Sequence, residues 1–462
     1  MRPAAHPSPL GWKAESLETL RLAGPLALAN LLQMLTYAVD VIFIARLGSD
    51  ELAAATLGIS LFGLLVWAMH GLTGAVAPIM AAELGARAPA LRAVRRSVRM
   101  ALWLAVLAGS IAMALCMLTE PLMRLTGQEP HISRLGGEYA SVLLFSAVPM
   151  VMASVLRNFV STLGRPIFAT AITALGIGVN ALGNYALIFG NWGAPALGLE
   201  GAAIATIITS LAIVCFYVIA IRLDPRLHRY HIFGFFWRPD WARLKEIVRI
   251  GTPISFTIIA EASVFGAAAF LMGRIGSVEL AAHALALQII ALAFQVPQGA
   301  AQAATIRVGY FYGAGEKEGI KQAGWSAIAM GLSFILLSAM AMLFAPEYLL
   351  AIYIDPWDPA NRQMVGFATT FLIVGAAFQL SDSAQVIGAG TLRGMKDTRI
   401  PMWIALFSYW VPGFGLAAGL GLGTQMGGVG IWIGLAAGLT CAAILLLRRW
   451  HKREVLGLTS ID

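Results

Sequence analysis

The segment RLGSDELAA (residues 46–54) returns 228 residues later as RIGSVELAA (residues 274–282), with only two of nine positions changed. At the same offset Pro25 aligns with Pro253, and Gly71 aligns with Gly299. With one further residue of offset, Gly201 aligns with Gly430. Matches that cluster at one offset indicate an internal repeat. The chain is therefore predicted to contain two copies of one structural unit.

The composition is that of a protein that crosses a membrane many times. Of the 462 residues, 59% are hydrophobic and only 12% are charged, whereas a soluble domain carries about 25% charged residues. This composition argues against a soluble enzyme, a nucleic-acid binder and a secreted disulfide scaffold. A helix needs about 20 mostly apolar residues to cross a bilayer. Twelve stretches meet that need, at 23–45, 52–80, 100–118, 139–163, 166–190, 200–222, 250–273, 280–306, 324–345, 363–392, 400–421 and 429–447.

The repeat and the spans together predict the fold. Each copy holds six spans, an even number, so both copies enter the membrane from the same side. We predict an all-α polytopic membrane protein with twelve transmembrane helices in two parallel six-helix repeats, related by a pseudo-two-fold axis along the membrane normal. The expected N-lobe is 1–235, spans 1 to 6 with a cytoplasmic linker, and the expected C-lobe is 236–462, spans 7 to 12.

Smaller features follow from the same stretches. The first 22 residues contain no continuous apolar core, so no cleavable signal peptide is predicted. Ser49 and Ser277 are expected to cap spans 2 and 8, with Glu51 and Glu279 at the positive end of each helix dipole. The three cysteines lie in apolar stretches without paired spacing and are predicted to be packing residues.

The positions of the basic residues predict the orientation. Of the 32 Lys and Arg, five lie in the odd-numbered connections, and the other 27 lie in the tails, the even-numbered connections or the adjoining helix ends. Because basic residues concentrate on the cytoplasmic side, both termini are predicted to be cytoplasmic. The net charge of +8 is thereby explained by topology, and nucleic acid is not an expected partner.

Three acids lie well inside apolar spans: Asp40 in span 1, Glu261 in span 7 and Asp382 in span 10. A charge at this depth costs a few kcal/mol, roughly, so it is a functional hypothesis by default. No Lys or Arg lies within a helical turn of any of them to neutralise it. The alternative interpretation is that the acids lie at helix ends and are wet by solvent.

Polar and aromatic residues accompany these acids. Asn180 and Asn184 are one turn apart in span 5, and glutamines recur on spans 8 and 10. Flat organic cations bind aromatic rings through cation–π contacts, so rings near the acids on a helical projection are candidates for substrate binding. The predicted substrate-cavity residues are Gln33, Tyr37, Phe265, Gln288, Phe294, Gln295, Phe378 and Gln379.

The chemistry of such a cluster favours ion exchange. A buried carboxylate can hold a proton or a bare cation. Two carboxylates with amide oxygens also form a hard, oxygen-rich site for Na⁺. The same acids attract a cationic substrate, so ion and substrate compete for one lobe. Such competition is a simple antiport mechanism.

Several motifs resemble the multidrug and toxic compound extrusion (MATE) family, in its bacterial NorM-like branch. They include Val39-Asp40, the run ATIRVG at 304–309, and Asp382 followed by GTLRGMKDT at 390–398; the resemblance covers about residues 20 to 450. It implies a secondary antiporter of the bacterial inner membrane that works by alternating access. Cytoplasmic organic cations, dyes and fluoroquinolone-like drugs would be exported in exchange for Na⁺ or H⁺, which gives antibiotic resistance. We expect a monomer without cofactors.

The resemblance also assigns roles to the acids. Glu261 and Asp382 correspond to the C-lobe cation ligands, here for Na⁺. Asp40 with Asn180 and Asn184 corresponds to an N-lobe cation or proton site.

This chain departs from the family pattern at three positions. Phe294 stands where some relatives have a tyrosine, and Ala284 where a glutamine is frequent. Asn184 stands where some proton-coupled relatives have an aspartate, which slightly favours Na⁺ as the coupling ion.

Other functions fit the residues less well. A lipid-linked oligosaccharide or lipid flippase shares the two-lobe plan, but needs basic residues inside the spans to hold phosphates. Arg157, about two turns from the cytoplasmic end of span 4, is predicted to be the deepest cation. No HExxH or GxSxG motif occurs, so enzyme activity is not expected, and His70 and His283 are predicted to be hydrogen-bonded core residues. The coupling ion and the physiological substrate stay open.

Overall fold

The structure, a computed structural model, describes residues 11–460. Within that range, twelve helical segments are long and apolar enough to cross a membrane, which confirms the predicted number of spans. In chain order, spans 1 to 12 are Trp12–Ile44, Ser49–Arg87, Leu91–Cys116, Pro130–Thr162, Pro166–Phe189, Gly198–Leu223, Trp241–Ile275, Ser277–Ala314, Lys317–Phe344, Pro359–Gly394, Arg399–Gly423 and Gly428–His451.

Many spans are longer than their apolar stretches. Span 1 begins at Trp12 and span 8 ends at Ala314, where hydropathy predicted 23 and 306. Hydropathy marks only the hydrocarbon-soluble part of a helix, whereas backbone hydrogen bonds continue through polar residues beyond it. Four spans consist of more than one helical segment. Span 2 joins Ser49–Gly74 to Val76–Arg87, and span 4 joins Pro130–Leu143 to Ala147–Thr162. Span 10 begins with a short turn that continues into the helix Arg362–Gly394, and span 11 contains a π-helical segment, Tyr409–Phe414. Short helices outside the spans are Thr119–Leu125, Pro225–His228 and Pro346–Leu350.

The chain divides into two compact units. The N-unit comprises Ala29–Leu84 and Ala88–Ser255, and the C-unit comprises the described residues up to Leu28, Gly85–Arg87 and everything from Phe256 onward. The first part of span 1 therefore belongs to the C-unit, and the first part of span 7 to the N-unit. The lobes 1–235 and 236–462 stay a prediction about the functional halves.

In the N-unit, the linker after span 6 is held against span 3 by arginines. Arg95 donates to the carbonyl oxygen of Tyr230 at 2.8 Å, and Arg99 donates to that of Phe235 at 3.1 Å. Arg96 pairs with Asp240, and this hydrogen bond lowers the pKa of the Asp240 carboxyl. Part of the basic charge in this region therefore serves to fix the linker.

In the C-unit, spans 8, 10 and 12 enclose an aromatic core. Trp432 packs on Phe371 and Phe378, with ring centroids 5.9 and 5.5 Å apart. His283 contacts the same indole at 5.4 Å. The prediction that His283 is hydrogen-bonded is wrong, because among the described residues neither ring nitrogen has a partner. Its packing is aromatic instead.

The three cysteines, which were predicted to be packing residues, differ in how deeply they are buried. Cys116 is buried, Cys441 is half-buried and Cys215 is exposed. An exposed apolar position is normal in a span, because lipid is as apolar as a protein core.

In each copy of the repeated motif, a glycine directly precedes the first residue of a helix. Spans 2 and 8 begin at the serines, and the preceding glycines occupy the cap position without a side-chain cap hydrogen bond; the predicted serine caps are therefore wrong. A Cβ atom on Gly48 would overlap the carboxylate of Glu51, and one on Gly276 would overlap that of Glu279. Each glycine leaves room for a carboxylate at the positive end of the helix.

Gly201 and Gly430, the aligned pair at the head of spans 6 and 12, also have equivalent surroundings. A Cβ atom on Gly201 would overlap the carbonyl of Leu187, and one on Gly430 would overlap the carbonyl of Leu420. In both copies the glycine lets the last span approach the backbone of the span before it.

A buried ion pair holds the start of span 1 in the C-unit. Arg307 Nε donates to Glu15 Oε1 at 2.8 Å, and Arg307 also bonds the second carboxylate oxygen of this fully buried glutamate. Removing one member leaves a buried charge uncompensated, which typically costs about 3–5 kcal/mol. We expect Glu15→Ala to lower the thermal unfolding midpoint in detergent clearly.

The matched control is Glu18→Ala, on the same helix, whose partner Arg21 is largely exposed. Exposed pairs contribute about 0–1 kcal/mol, so this variant should unfold close to wild type. Equal midpoints for the two variants would contradict the role of the buried pair.

Candidate functional site

The N-unit contains a polar cluster around Asp40. Asn180 and Asn184, one turn apart on span 5, both donate their side-chain Nδ2 to Asp40 Oδ1 on span 1, at 2.9 and 2.7 Å. Asn184 Nδ2 also lies 3.2 Å from Asn180 Oδ1. All three side chains are buried. The structure thus brings together the three residues that the sequence assigned to one site.

This cluster offers oxygen atoms to a cation. No described Lys or Arg forms an ion pair with Asp40, so its carboxylate is not neutralised by the protein. Asn184 Oδ1 is buried and has no hydrogen-bond partner among the described residues. A carboxylate beside an unpartnered amide oxygen is suited to a hard cation or to a proton. The charge of Asp40 also acts on the hydroxyls of Tyr37 and Tyr139.

A second cluster lies in the C-unit around Glu261 and Asp382. Glu261 lines a small pocket together with Phe265 and Tyr409. Glu261 and Asp382 are close enough for the charge of one to act on the other. Asp382 Oδ1 is buried and has no hydrogen-bond partner among the described residues. The other pocket-lining residues are Val264, Gly413, Leu435, Gly438 and Leu439.

The π-helical segment of span 11 positions one wall of this pocket. It runs from Tyr409 to Phe414 and contains Pro412. Proline has no N–H to donate to the carbonyl of Ser408, four residues earlier, which favours a wider turn here. π-Helical turns occur frequently at functional sites. Sequence reasoning missed Tyr409, although Pro412 followed by glycine in an apolar span marks an irregular turn.

The glutamines near Asp382 differ in their hydrogen bonding. Gln379 Oε1 accepts from Ser338 Oγ at 3.3 Å. Gln385, one turn beyond Asp382, is buried, and its Oε1 has no hydrogen-bond partner among the described residues. The oxygen of Gln379 is therefore used inside the protein, whereas that of Gln385 is not.

The predicted cavity residues are divided between the two units. Gln33 and Tyr37 are half-buried in the N-unit, and the other six lie in the C-unit. Phe265 contacts Phe378 with ring centroids 6.0 Å apart. Phe378 is only 1% exposed and belongs to the hydrophobic core, so the structure does not place it on an open wall.

The remaining predicted cavity residues lie on span 8. Gln295 donates to the carbonyl of Ala291 on its own helix at 3.0 Å. Phe294 is half-buried, and Gln288 is exposed. These three stay candidates for substrate contact.

Two basic residues inside the spans have polar partners. Arg157 donates to Asn30 Oδ1, and Arg307 pairs with Glu15. Among the described residues no group of three or more His, Cys, Asp and Glu is arranged to hold a metal ion. A cation in either cluster would therefore also need neutral oxygen ligands.

Comparison with known proteins agrees with the repeat. A family model described as MatE matches residues 25–186 and 253–418, two blocks that begin at the aligned Pro25 and Pro253. The chain is similar to the "Probable multidrug resistance protein NorM" of Brucella suis, with 42% identity over 441 residues, 96% of this chain and 94% of the relative. It is also similar to the protein of the same name from Mesorhizobium japonicum, with 41% identity over 445 residues, 96% and 95% of the two chains.

Solved structures share the fold. The crystal structure of a eukaryotic MATE transporter superposes with a TM-score of 0.86 at 17% identity, covering 97% of this chain and 99% of that chain. The outward-facing structure of a multidrug resistance MATE family transporter gives a TM-score of 0.85 at 23% identity, covering 97% of both chains. These similarities establish the architecture of twelve membrane helices.

Proposed function

The chain belongs to the MatE family of membrane transporters, and from this premise we propose that it is a multidrug efflux antiporter. It exports organic cations and drugs in exchange for Na⁺ or H⁺, by alternating access. It acts as a monomer in the bacterial inner membrane, with both termini in the cytoplasm. The names of its relatives support drug efflux; the coupling to an ion rests on the chemistry of the two clusters.

The main support for ion coupling is that two acids inside the spans are buried without a basic partner. Asp40 in the N-unit and Asp382 in the C-unit are buried, and no described Lys or Arg forms an ion pair with either. A buried carboxylate without a basic partner is costly unless it binds a proton or a cation. Such groups gain stability by loading an ion and can release it when an organic cation replaces that ion.

The membrane supplies the driving force. An entering Na⁺ or H⁺ yields about 2.3 kcal/mol per 100 mV of membrane potential, in addition to its concentration gradient. Aromatic rings near the acids, Phe265 in the C-unit and Tyr37 in the N-unit, can bind a flat cation through their faces. Ion and substrate then compete for the same carboxylates.

A flippase of the same architecture is less well supported. Lipid-linked phosphates need cations that are available to them. Two arginines inside the spans, Arg157 and Arg307, are engaged by Asn30 and Glu15, which reduces the positive charge available for a phosphate.

The test is efflux of ethidium from proteoliposomes, with Na⁺ and H⁺ gradients imposed separately. We expect at least one gradient to accelerate efflux above the rate of protein-free vesicles. Movement of a fluorescent lipid analogue between leaflets is measured in the same vesicles. Lipid movement with no ethidium efflux under either gradient would contradict the antiporter and favour the flippase.

A further inference from the structure

Several buried oxygen atoms of the C-unit have no hydrogen-bond partner among the described residues, and three of them are Asp382 Oδ1, Gln385 Oε1 and the hydroxyl of Tyr409. Each side chain is at most 5% exposed. Buried polar atoms in proteins are nearly always hydrogen-bonded, so each exception needs an explanation. Because these three atoms belong to one cluster, we look for a single explanation that applies to all of them.

These atoms share one neighbourhood. The charges of Glu261 and Asp382 both act on the hydroxyl of Tyr409, which lies beside Gln385 without a hydrogen bond of normal geometry. Tyr409 and Glu261 line the same pocket. Gln385 follows Asp382 by one helical turn, which places both on one face of span 10.

Two neighbouring polar side chains of span 10, Gln379 and Ser383, contact span 9 instead. Gln379 Oε1 is occupied by Ser338. Ser383 Oγ, also without a hydrogen bond, lies against Gly331 of span 9. The unpartnered oxygens that remain near the two carboxylates are therefore those of Gln385 and Tyr409.

We propose that Tyr409 and Gln385 are further Na⁺ ligands, which complete with Glu261 and Asp382 an oxygen site formed by spans 7, 10 and 11. This inference rests on the proposed Na⁺ coupling and adds the neutral half of the site. Hard cations take oxygen ligands from carboxylates, amides and other neutral groups. One Na⁺ would satisfy all three unpartnered oxygens at once. Tyr409 is the first residue of the π-helical turn and lines the same pocket as Glu261.

Direct binding of ²²Na⁺ to the purified full-length protein tests the site. Tyr409→Phe removes a single oxygen and keeps the ring, and Gln385→Leu removes the amide at similar volume. Losing one neutral ligand of a charged group should raise the Kd for Na⁺ roughly tenfold in each variant. Tyr310→Phe, which removes a hydroxyl elsewhere in the C-unit, is the matched control and should bind like wild type.

Two negative outcomes are distinguishable. Saturable Na⁺ binding by wild type with an unchanged Kd in Tyr409→Phe would overturn the proposed role of Tyr409 while leaving Na⁺ coupling intact. Absence of saturable Na⁺ binding in wild type would overturn both the site and Na⁺ coupling, and leave H⁺ as the coupling ion. The thermal unfolding midpoint of each variant in detergent confirms that it is folded, because that readout requires neither Na⁺ nor substrate.

Discussion

Neutralising either carboxylate of the C-unit cluster, by Glu261→Gln or Asp382→Asn, is expected to reduce Na⁺-driven ethidium efflux to the rate of protein-free vesicles. Both side chains keep their shape, but neither amide can balance the charge of a bound cation. Losing a buried charge partner costs on the order of 3 kcal/mol, which corresponds to roughly a hundredfold loss of Na⁺ affinity. Efflux rates in proteoliposomes under a fixed inward Na⁺ gradient measure this effect.

Glu347→Gln is the control for these variants. Glu347 also belongs to the C-unit but is exposed, and it lies outside the cluster. It should transport like wild type. Wild-type Na⁺ dependence in Glu261→Gln and Asp382→Asn would contradict a cation site at these carboxylates.

The second large effect is expected from Asp40→Asn in the N-unit. The new amide oxygen can still accept the hydrogen bonds of Asn180 and Asn184, so the packing is kept while the charge is lost. Because the variant lacks a group that exchanges an ion, we expect ethidium efflux to fall at least about tenfold. An effect of this size is expected when a functional acid within a span is neutralised. The thermal unfolding midpoint should not fall, because a buried charge costs free energy in the folded state.

This combination separates function from folding. Efflux that falls together with the unfolding midpoint would indicate a structural role for Asp40. Unchanged efflux would contradict its participation in ion exchange. Asp50→Asn, an exposed acid of the same unit, is the matched control and should change neither quantity.

The sequence predicted the spans well because hydropathy responds to the membrane directly. All twelve apolar stretches became helices, since a backbone in lipid must satisfy its own hydrogen bonds. The helix ends were not predictable in the same way. Trp12 and Ala314 lie outside the apolar stretches, where helix continuation depends on packing, such as that of Glu15 on Arg307.

The charged residues of the candidate site could be predicted from the sequence. Asp40, Glu261 and Asp382 stand out because acids are rare in apolar spans, and the asparagines follow at a helical spacing. Tyr409 carries no charge at neutral pH, and tyrosine is frequent at membrane interfaces. Its place beside Glu261 depends on a π-helical turn that no periodicity reveals.

Projection on a single helix leaves out the neighbouring helices. Phe378 projects near Asp382, yet it is enclosed by Phe265 and Trp432 in the core. A projection gives the face of one helix but not the neighbour that covers it. In a membrane protein the apolar surface is divided between lipid and core, as the exposed Cys215 shows.

The most direct test of the antiporter is exchange driven in reverse. Proteoliposomes are prepared with equal Na⁺ and equal pH on both sides and with an ethidium gradient, while ²²Na⁺ and internal pH are followed together. Obligatory exchange predicts that ethidium flowing down its gradient moves Na⁺ or H⁺ uphill in the opposite direction. Ethidium flux that leaves both ions at equilibrium would contradict antiport, and with it the role proposed for the buried acids.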